Sequence, residues 1–319
     1  MKRVLVVGGS YFVGKAITEE LKVNGYDVTL LNRGSRRISG TKQLSCDRNN
    51  EQAVKSVLQG KSFDSLVDVS GLDKIQIQAL CDALEMEELK SAVFISSSAV
   101  YDVEHIKHSF CESDRRKQNK FWGKYGTDKI AAEDTYRQYM EQREIPLIIL
   151  RPPYVYGEEN YVQRESFIFE HILTNRPVIL PQTNKKLQFI YAKDLAVLVR
   201  SMLETKVEGT QVYNIGNKEA VSAKEWVELC AQAMGKRVET VTFDYKKAGR
   251  GVREFFPFHD YNNVLNVNKI HQQTINIEET DFLLGLQNAY RWFLKERLNI
   301  LWKEEVRRTE TEILKELQL

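Results

Sequence analysis

Nothing limits the fold of this chain more than its first 24 residues. Four apolar residues, Val4-Leu5-Val6-Val7, run into Gly8-Gly9-Ser10-Tyr11-Phe12-Val13-Gly14 and then into a helical pattern over 15–24. A buried strand that stops on glycines and opens a helix gathers backbone N–H groups and the positive end of a helix dipole at one point. That point suits a phosphate, and glycine lets the backbone approach it closely. Gly8 and Gly14 hold the outer positions of a G-x-x-G-x-x-G turn, with Tyr11 in the middle one. By itself the turn is weak evidence, since a plain tight turn is the alternative, so its weight rests on the pattern of the residues that follow.

That pattern is alternation. Short runs rich in Val, Ile and Leu stand at 4–7, 28–31, 66–69, 93–96 and 147–150, as expected of strands buried on both faces of a parallel sheet. Between them, 15–24, 51–58, 74–84 and 124–141 carry apolar residues at three- and four-residue spacing. Such alternation implies right-handed crossovers and an α/β fold with a doubly wound parallel sheet, of the Rossmann kind. Beyond 150 the pattern loosens: 157–186 reads as helix and loop, 189–199 as a strand end entering a helix, 211–215 as a further strand, and the C-terminal 35 or so residues as charged amphipathic helix. The expected division is a dinucleotide-binding domain over 1–156 and 187–216, with a second, smaller mixed α/β substrate domain over 157–186 and 217–319.

Bulk properties exclude more than they select. The chain has 319 residues, and a net charge of +2 gives no overall pull toward nucleic acid or a membrane. The apolar run at the start is too short for a signal-peptide core, and the segment 282–302 is broken by Arg291, Lys295, Glu296 and Arg297, so no spanning helix is expected. The four cysteines, Cys46, Cys81, Cys111 and Cys230, form no CxxC pair, and no histidine stands at a familiar zinc spacing. Free thiols, a reducing compartment, no metal and a cytoplasmic location are the expectations.

The end of the second strand bears on the cofactor. It reads Leu31-Asn32-Arg33-Gly34-Ser35-Arg36-Arg37, with no acid where a ribose diol is ordinarily held. Three arginines in five residues favour a 2′-phosphate and hence NADP over NAD; a solvated basic loop is the plain alternative. Asp47 is placed to meet the adenine amino group, or is a surface carboxylate. Candidate chemistry lies further on. Residues 94–101 run from a strand into hydroxyls, and Tyr125-Gly126-Thr127-Asp128-Lys129 sets a phenol and an ammonium on one helix face. A cation beside a tyrosine lowers its pKa toward the range of a working acid or base.

Six segments together resemble the extended short-chain dehydrogenase/reductase superfamily, of the NAD-dependent epimerase/dehydratase kind. They are the glycine turn, 95–101 (ISSSAVY), 125–133 (YGTDKIAAE), 150–157 (LRPPYVYG), 188–196 (QFIYAKDLA) and 212–216 (VYNIG), and the resemblance extends to about Trp292. It implies a catalytic set of Ser97, Tyr125 and Lys129. Lys129 would both lower the pKa of Tyr125 and hold the nicotinamide ribose, making it part of the cofactor site. Gly8, Ser10, Tyr11, Phe12, Val13, Gly14, Asn32, Arg33, Arg36, Asp47, Ser70, Gly71, Pro152 and Val155 would complete that site. It further implies a nucleotide-linked sugar as substrate, met by Ser98, Tyr154, Arg164 and Arg253, and a homodimer through the helices 74–84 and 124–141. Ser98 and Ala99 are not acidic, which favours an epimerase or ketoreductase over a 4,6-dehydratase.

Three departures stand out: Tyr11 for the middle glycine, Asn32-Arg33 for the ribose-binding acid, and Tyr154 where many members carry Asn. The first two resemble an atypical branch that includes chloroplast stem-loop RNA-binding proteins. The rival reading is therefore a regulatory protein that binds RNA or senses NADP(H), supported by basic runs at 33–37 and 115–124 with Phe121 and Trp122 as stacking surfaces. The presence of both Tyr125 and Lys129, and the low net charge, weigh against it.

Overall fold

A computed structural model describes residues 2–273, 278–300, 302 and 304–318. Along the chain come β1 (Arg3–Val7), α1 (Phe12–Val23), β2 (Asp27–Asn32), β3 (Lys42–Ser45), α2 (Glu51–Leu58), β4 (Ser65–Asp68), α3 (Lys74–Ala83), β5 (Ser91–Ile95), α4 (Gly123–Glu141) and β6 (Leu147–Arg151). After these lie β7 (Tyr154–Tyr156), α5 (Glu165–Leu173), β8 (Val178–Pro181), β9 (Lys186–Tyr191), α6 (Ala192–Glu204), β10 (Thr210–Asn214), β11 (Ala220–Ser222), α7 (Ala223–Ala233) and β12 (Thr240–Phe243). The helices α8 (Asn268–His271), α9 (Phe282–Glu296) and α10 (Glu304–Glu316) complete the order.

Seven strands form one parallel sheet in the order β10-β6-β5-β4-β1-β2-β3. The doubly wound α/β expectation is therefore met. Strand order reverses between β1 and β4, the switch point at which such sheets take ligands. Leu5, Leu66, Phe94 and Ile149 are fully buried on one face, with Leu80, Tyr136 and Met140 from the covering helices. Each large apolar side chain removed from water there contributes about 1.5–3 kcal/mol. Helix starts follow local chemistry: Asn50 accepts from Ala53 N, Asp73 from Gln76 N, and Ser222 with Glu225 closes a reciprocal capping box.

Five strands have no counterpart in the sequence pattern. β3 is half-exposed and polar, so it lacks the apolar run of its neighbours. β7, β8, β11 and β12 are three or four residues each, too short to show a period. The chain divides into two compact units: Met1–Val155, Phe189–Lys218 and Leu265–Glu279 form the first, and Tyr156–Gln188, Glu219–Val264 and Thr280–Leu319 the second. In the second, α9 lies against Tyr156, where a Cβ on Gly285 would meet the phenol oxygen at 2.5 Å. Among the described residues no helix is long and apolar enough to cross a membrane, and all four cysteines are free.

Candidate active site

The glycine turn is built by exclusion. Gly8 has φ +83°, and a Cβ on it would meet Ser70 Cβ and Oγ at 2.5 Å, so the ends of β1 and β4 meet here without a side chain between them. A Cβ on Gly14 would lie 2.1 Å from the Gly8 carbonyl oxygen, and one on Gly9 2.6 Å from Thr18 Oγ1. Thr18 donates to the Gly9 carbonyl at 2.8 Å and ties α1 to the turn. Gly9, which the spacing of the motif does not single out, is thus as constrained as the other two. Tyr11 immediately precedes α1, and Phe12 takes φ +44° with its side chain buried. A bulky residue in that conformation stores on the order of 1 kcal/mol of strain or more.

Tyr11, a departure from the family pattern, meets Arg36 of the basic loop: the Arg36 guanidinium lies 4.2 Å from the Tyr11 ring centre. Asn32 Oδ1 accepts from Gly34 N at 2.8 Å and Gln43 Nε2 at 3.0 Å, which shapes the loop, whereas Asn32 Nδ2 is buried with no hydrogen-bond partner. An orphaned donor at the ribose position, beside a cradle that no Cβ could share, fits a dinucleotide. Arg33 and Arg37 are exposed. Asp47 Oδ1 accepts from both the backbone and the side chain of Asn49 at 3.0 Å, bracing its own turn.

At the end of β4, a network that the sequence does not announce supports Ser70 and Gly71. Arg48 clasps Asp68 through both nitrogens at 3.1 and 3.0 Å and donates to Ser70 Oγ at 2.9 Å. Asp68 also accepts from Tyr136 at 2.6 Å and from the backbone N–H of Ser70 and Gly71. Burial pushes the Asp68 carboxyl up, but Arg48 and the Tyr136 hydrogen bond hold it below its ordinary value. The one sequence signal for it is an acid ending an apolar strand.

Lys129 lies one turn beyond Tyr125 on α4. Its ammonium donates to the carbonyls of Gly71 at 2.6 Å and Ile95 at 2.9 Å and sits 4.7 Å from the Phe94 ring centre. Burial lowers its pKa to about 8, with Asp68 pulling partly the other way. Tyr125 is 39% exposed, its ring 5.8 Å from that of Trp122. Gly126 brings its turn of helix inward: a Cβ there would lie 2.6 Å from the Ala99 carbonyl oxygen. Helix α4 therefore rests on the short 3₁₀ turn Ser98–Val100, which Ser97 caps by accepting from Ala99 N at 3.2 Å. A hydroxyl accepting one bond keeps its own proton to donate. Ser98 N donates to the Pro152 carbonyl at 2.9 Å. Tyr154 is buried, with the Trp122 and Phe189 rings 6.1 and 5.9 Å away. Val155 is half-buried.

Several residues shared by the diagnostic segments turn out to be structural. Glu133 accepts from Ser96 at 2.6 Å, from Arg151 at 2.9 and 2.6 Å, and from Arg116 at 3.0 Å. Arg151 continues to Tyr101, whose hydroxyl donates to Asn214 at 2.6 Å. Burial raises the Glu133 pKa, but Arg151 more than offsets it. Segments 95–101, 125–133, 150–157 and 212–216 are thus bolted together by one buried polar chain.

In the second unit, the half-buried Arg164 and the exposed Arg253 both act on His259, whose pKa burial and these two cations lower to about 4. Arg253 also donates to the Phe256 carbonyl and lines a cavity of about 500 Å³ with Tyr161, Phe167, Phe255, Phe256 and Arg307. The basic run 115–124 is largely neutralised at home: Arg116 pairs with Glu133 and Asp134, Lys120 with Glu104, and Lys124 with Asp128.

The model of the NAD dependent epimerase/dehydratase family matches residues 4–216. A curated relative, the chloroplast stem-loop binding protein of 41 kDa b of Arabidopsis thaliana, is 26% identical over 308 residues, covering 91% of this chain and 78% of that one. Among solved structures, UDP-N-acetylglucosamine 4-epimerase from Methanobrevibacter ruminantium M1, in complex with UDP-N-acetylmuramic acid, superposes with a TM-score of 0.77 at 17% identity over 92% of this chain and 99% of its own. Thermus thermophilus UDP-glucose 4-epimerase, in complex with NAD, gives 0.73 at 19% identity with the same coverages. With the switch-point turn and the buried bolt between its motifs in place, the chain belongs to the NAD-dependent epimerase/dehydratase family.

Proposed function

We propose that this protein is an NAD(P)-dependent oxidoreductase or epimerase that acts on a hydroxyl or ketone of a nucleotide-linked sugar. The observation that carries the reading is the seating of α4: Gly126 against the Ala99 carbonyl sets the Tyr125 turn onto the segment headed by Ser97, with buried Lys129 one turn further. In this reading Tyr125 accepts the proton of the substrate hydroxyl and returns it. Ser97 donates its hydroxyl proton to the same substrate oxygen and fixes its direction, and the ammonium of Lys129 favours the phenolate. The dinucleotide, when bound, supplies the hydride acceptor and donor. Asn32, Arg33 and Arg36 would hold it, with NADP preferred. Arg164 and Arg253, which both act on His259, would hold the substrate's phosphates. A homodimer through α3 and α4 completes the proposal.

The test is a screen of nucleotide sugars with NADP and NAD, read by nicotinamide absorbance and by sugar epimer analysis, beside fluorescence titration of both dinucleotides. Turnover of one nucleotide sugar with tighter NADP(H) binding is expected. Equal or tighter NAD(H) binding removes the preference, and a lack of turnover with any sugar removes the activity. An RNA-binding role draws support from the name of the Arabidopsis relative and from the exposed arginines of 33–37, and the paired cations of 115–124 count against it. Binding of structured RNA without dinucleotide binding would favour it.

A further inference from the structure

The expectation that no histidine stands at a zinc spacing passes over His108, three residues before Cys111, with Asp114 three residues after it. On the loop between β5 and α4, His108, Cys111 and Asp114 each bring a donor atom within 4.8 Å of the other two. We propose that these three residues bind a borderline divalent cation of the zinc class.

A tetrahedral cation at metal–ligand lengths of about 2.0–2.3 Å holds its donors about 3.5 Å apart, so the donor separation needs only small adjustment. His108 Nε2 already lies 3.0 and 3.2 Å from the two Asp114 oxygens. The donor set is one nitrogen, one sulfur and one oxygen, which suits zinc or cobalt; the sulfur disfavours calcium and magnesium, which take oxygen alone. The loop is also preorganised. Cys111 N donates to Asp114 Oδ2 at 2.8 Å, and Asp114 N to the Cys111 carbonyl at 3.0 Å, closing a tight turn. Asn266 N donates to the Phe110 carbonyl at 2.8 Å, and Asn266 Nδ2 points at Cys111 Sγ from 3.7 Å, as an outer-shell donor to a thiolate would. Arg151 donates to the Glu112 carbonyl, and Glu112 accepts from Asn214 N. Asp114 is mostly covered while the His108 side chain is 63% exposed, so a cation has a way in and a fourth position for water.

On binding, the hydrated cation gives up water ligands. The Cys111 S–H proton passes to solvent as the S–metal bond forms, and His108 ligates as the neutral ring through Nε2 with its proton on Nδ1. The bound cation would then fasten the loop that grips the ends of β6 and β10. The site is independent of the proposed reaction, and its failure would leave that reaction untouched.

The experiment uses the full chain, stripped with a chelator and titrated with Co²⁺ as a spectroscopic probe. One equivalent is expected to bind with a thiolate-to-cobalt charge-transfer band that Zn²⁺ displaces. Cys111→Ser should lose the band and Cys46→Ser should keep it. His108→Ala, on an exposed side chain that folding does not need, should weaken binding by more than about tenfold. The proposal is overturned if the native chain gives no charge-transfer band, if the band survives Cys111→Ser, or if His108→Ala binds as tightly as the native chain.

Discussion

Glu133 and Tyr11 belong to two regions of the first unit that face opposite demands. Glu133 is completely buried and takes four hydrogen bonds from three side chains, two of them, Ser96 and Arg151, from different motifs and the third, Arg116, from the loop between β5 and α4. Tyr11 sits at a turn whose other face is loop, and its marked contact is with the exposed Arg36. In the Glu133 region every partner is indispensable, since a buried charge left alone costs several kcal/mol. In the Tyr11 region a stacked cation contributes about 0.5–1 kcal/mol and can be exchanged. At Glu133 the family pattern is kept where exchange is costly, and at Tyr11 it is abandoned where exchange is cheap. Resemblance thus reports the framework more faithfully than the cofactor or the substrate.

Four measurements can break or sharpen this contrast. Tyr125→Phe removes one oxygen at an exposed position and should leave folding and dinucleotide binding nearly unchanged, while turnover falls by about 10²–10⁴. Retained turnover would take the acid–base role away from it. Glu133→Gln leaves Arg151 buried opposite a neutral group and should cost about 3–5 kcal/mol by urea unfolding. A cost under about 1 kcal/mol would show that the buried bolt is not what holds the motifs together.

The third measurement concerns pH. His259 titrates at about 4 in the folded chain against 6.5 for an ordinary solvated histidine, so the unfolded chain binds the proton first. Stability contributed by this group is present above about 6.5 and drains as pH falls toward 4. His259→Gln should flatten that acid slope. If a phosphate-bearing ligand settles between Arg164 and Arg253, the NMR titration point of His259 should rise; no movement on ligand binding would detach these arginines from the substrate. The smallest effect is expected from Arg36→Ala, which should weaken NADP(H) a few-fold, leave NAD(H) unchanged and not move Tm. Equal loss for both dinucleotides would make Arg36 a support for the Tyr11 ring and not a phosphate reader.

How far the sequence can be read depends on where information is local. The long helices α2, α3 and α4 and the Val-rich strands carry their period in every few residues, and the spacing places their ends within three residues. β3 and the three- and four-residue strands carry none. In the candidate site, Tyr125 and Lys129 stand out because four-residue spacing sets a phenol and an ammonium on one helix face, while Ser97 comes from the family resemblance. Arg48, Asp68 and Tyr136 do not, because they are 20 to 88 residues apart and meet only through the parallel order of β1, β4 and β5 and the helix that crosses them.

By itself, then, the chain's order of residues determined a doubly wound sheet, the turn that ends β1 and the family to which it belongs. Each of these rests on short-range pattern and on steric need, as at Gly8. Only the tertiary structure decided that Gly9 and Gly126 are contact glycines and that Glu133 and Arg151 are framework. It alone placed Arg36 against Tyr11. Those facts depend on burial and on which distant atoms end up within a few ångströms, and spacing along the chain does not encode that.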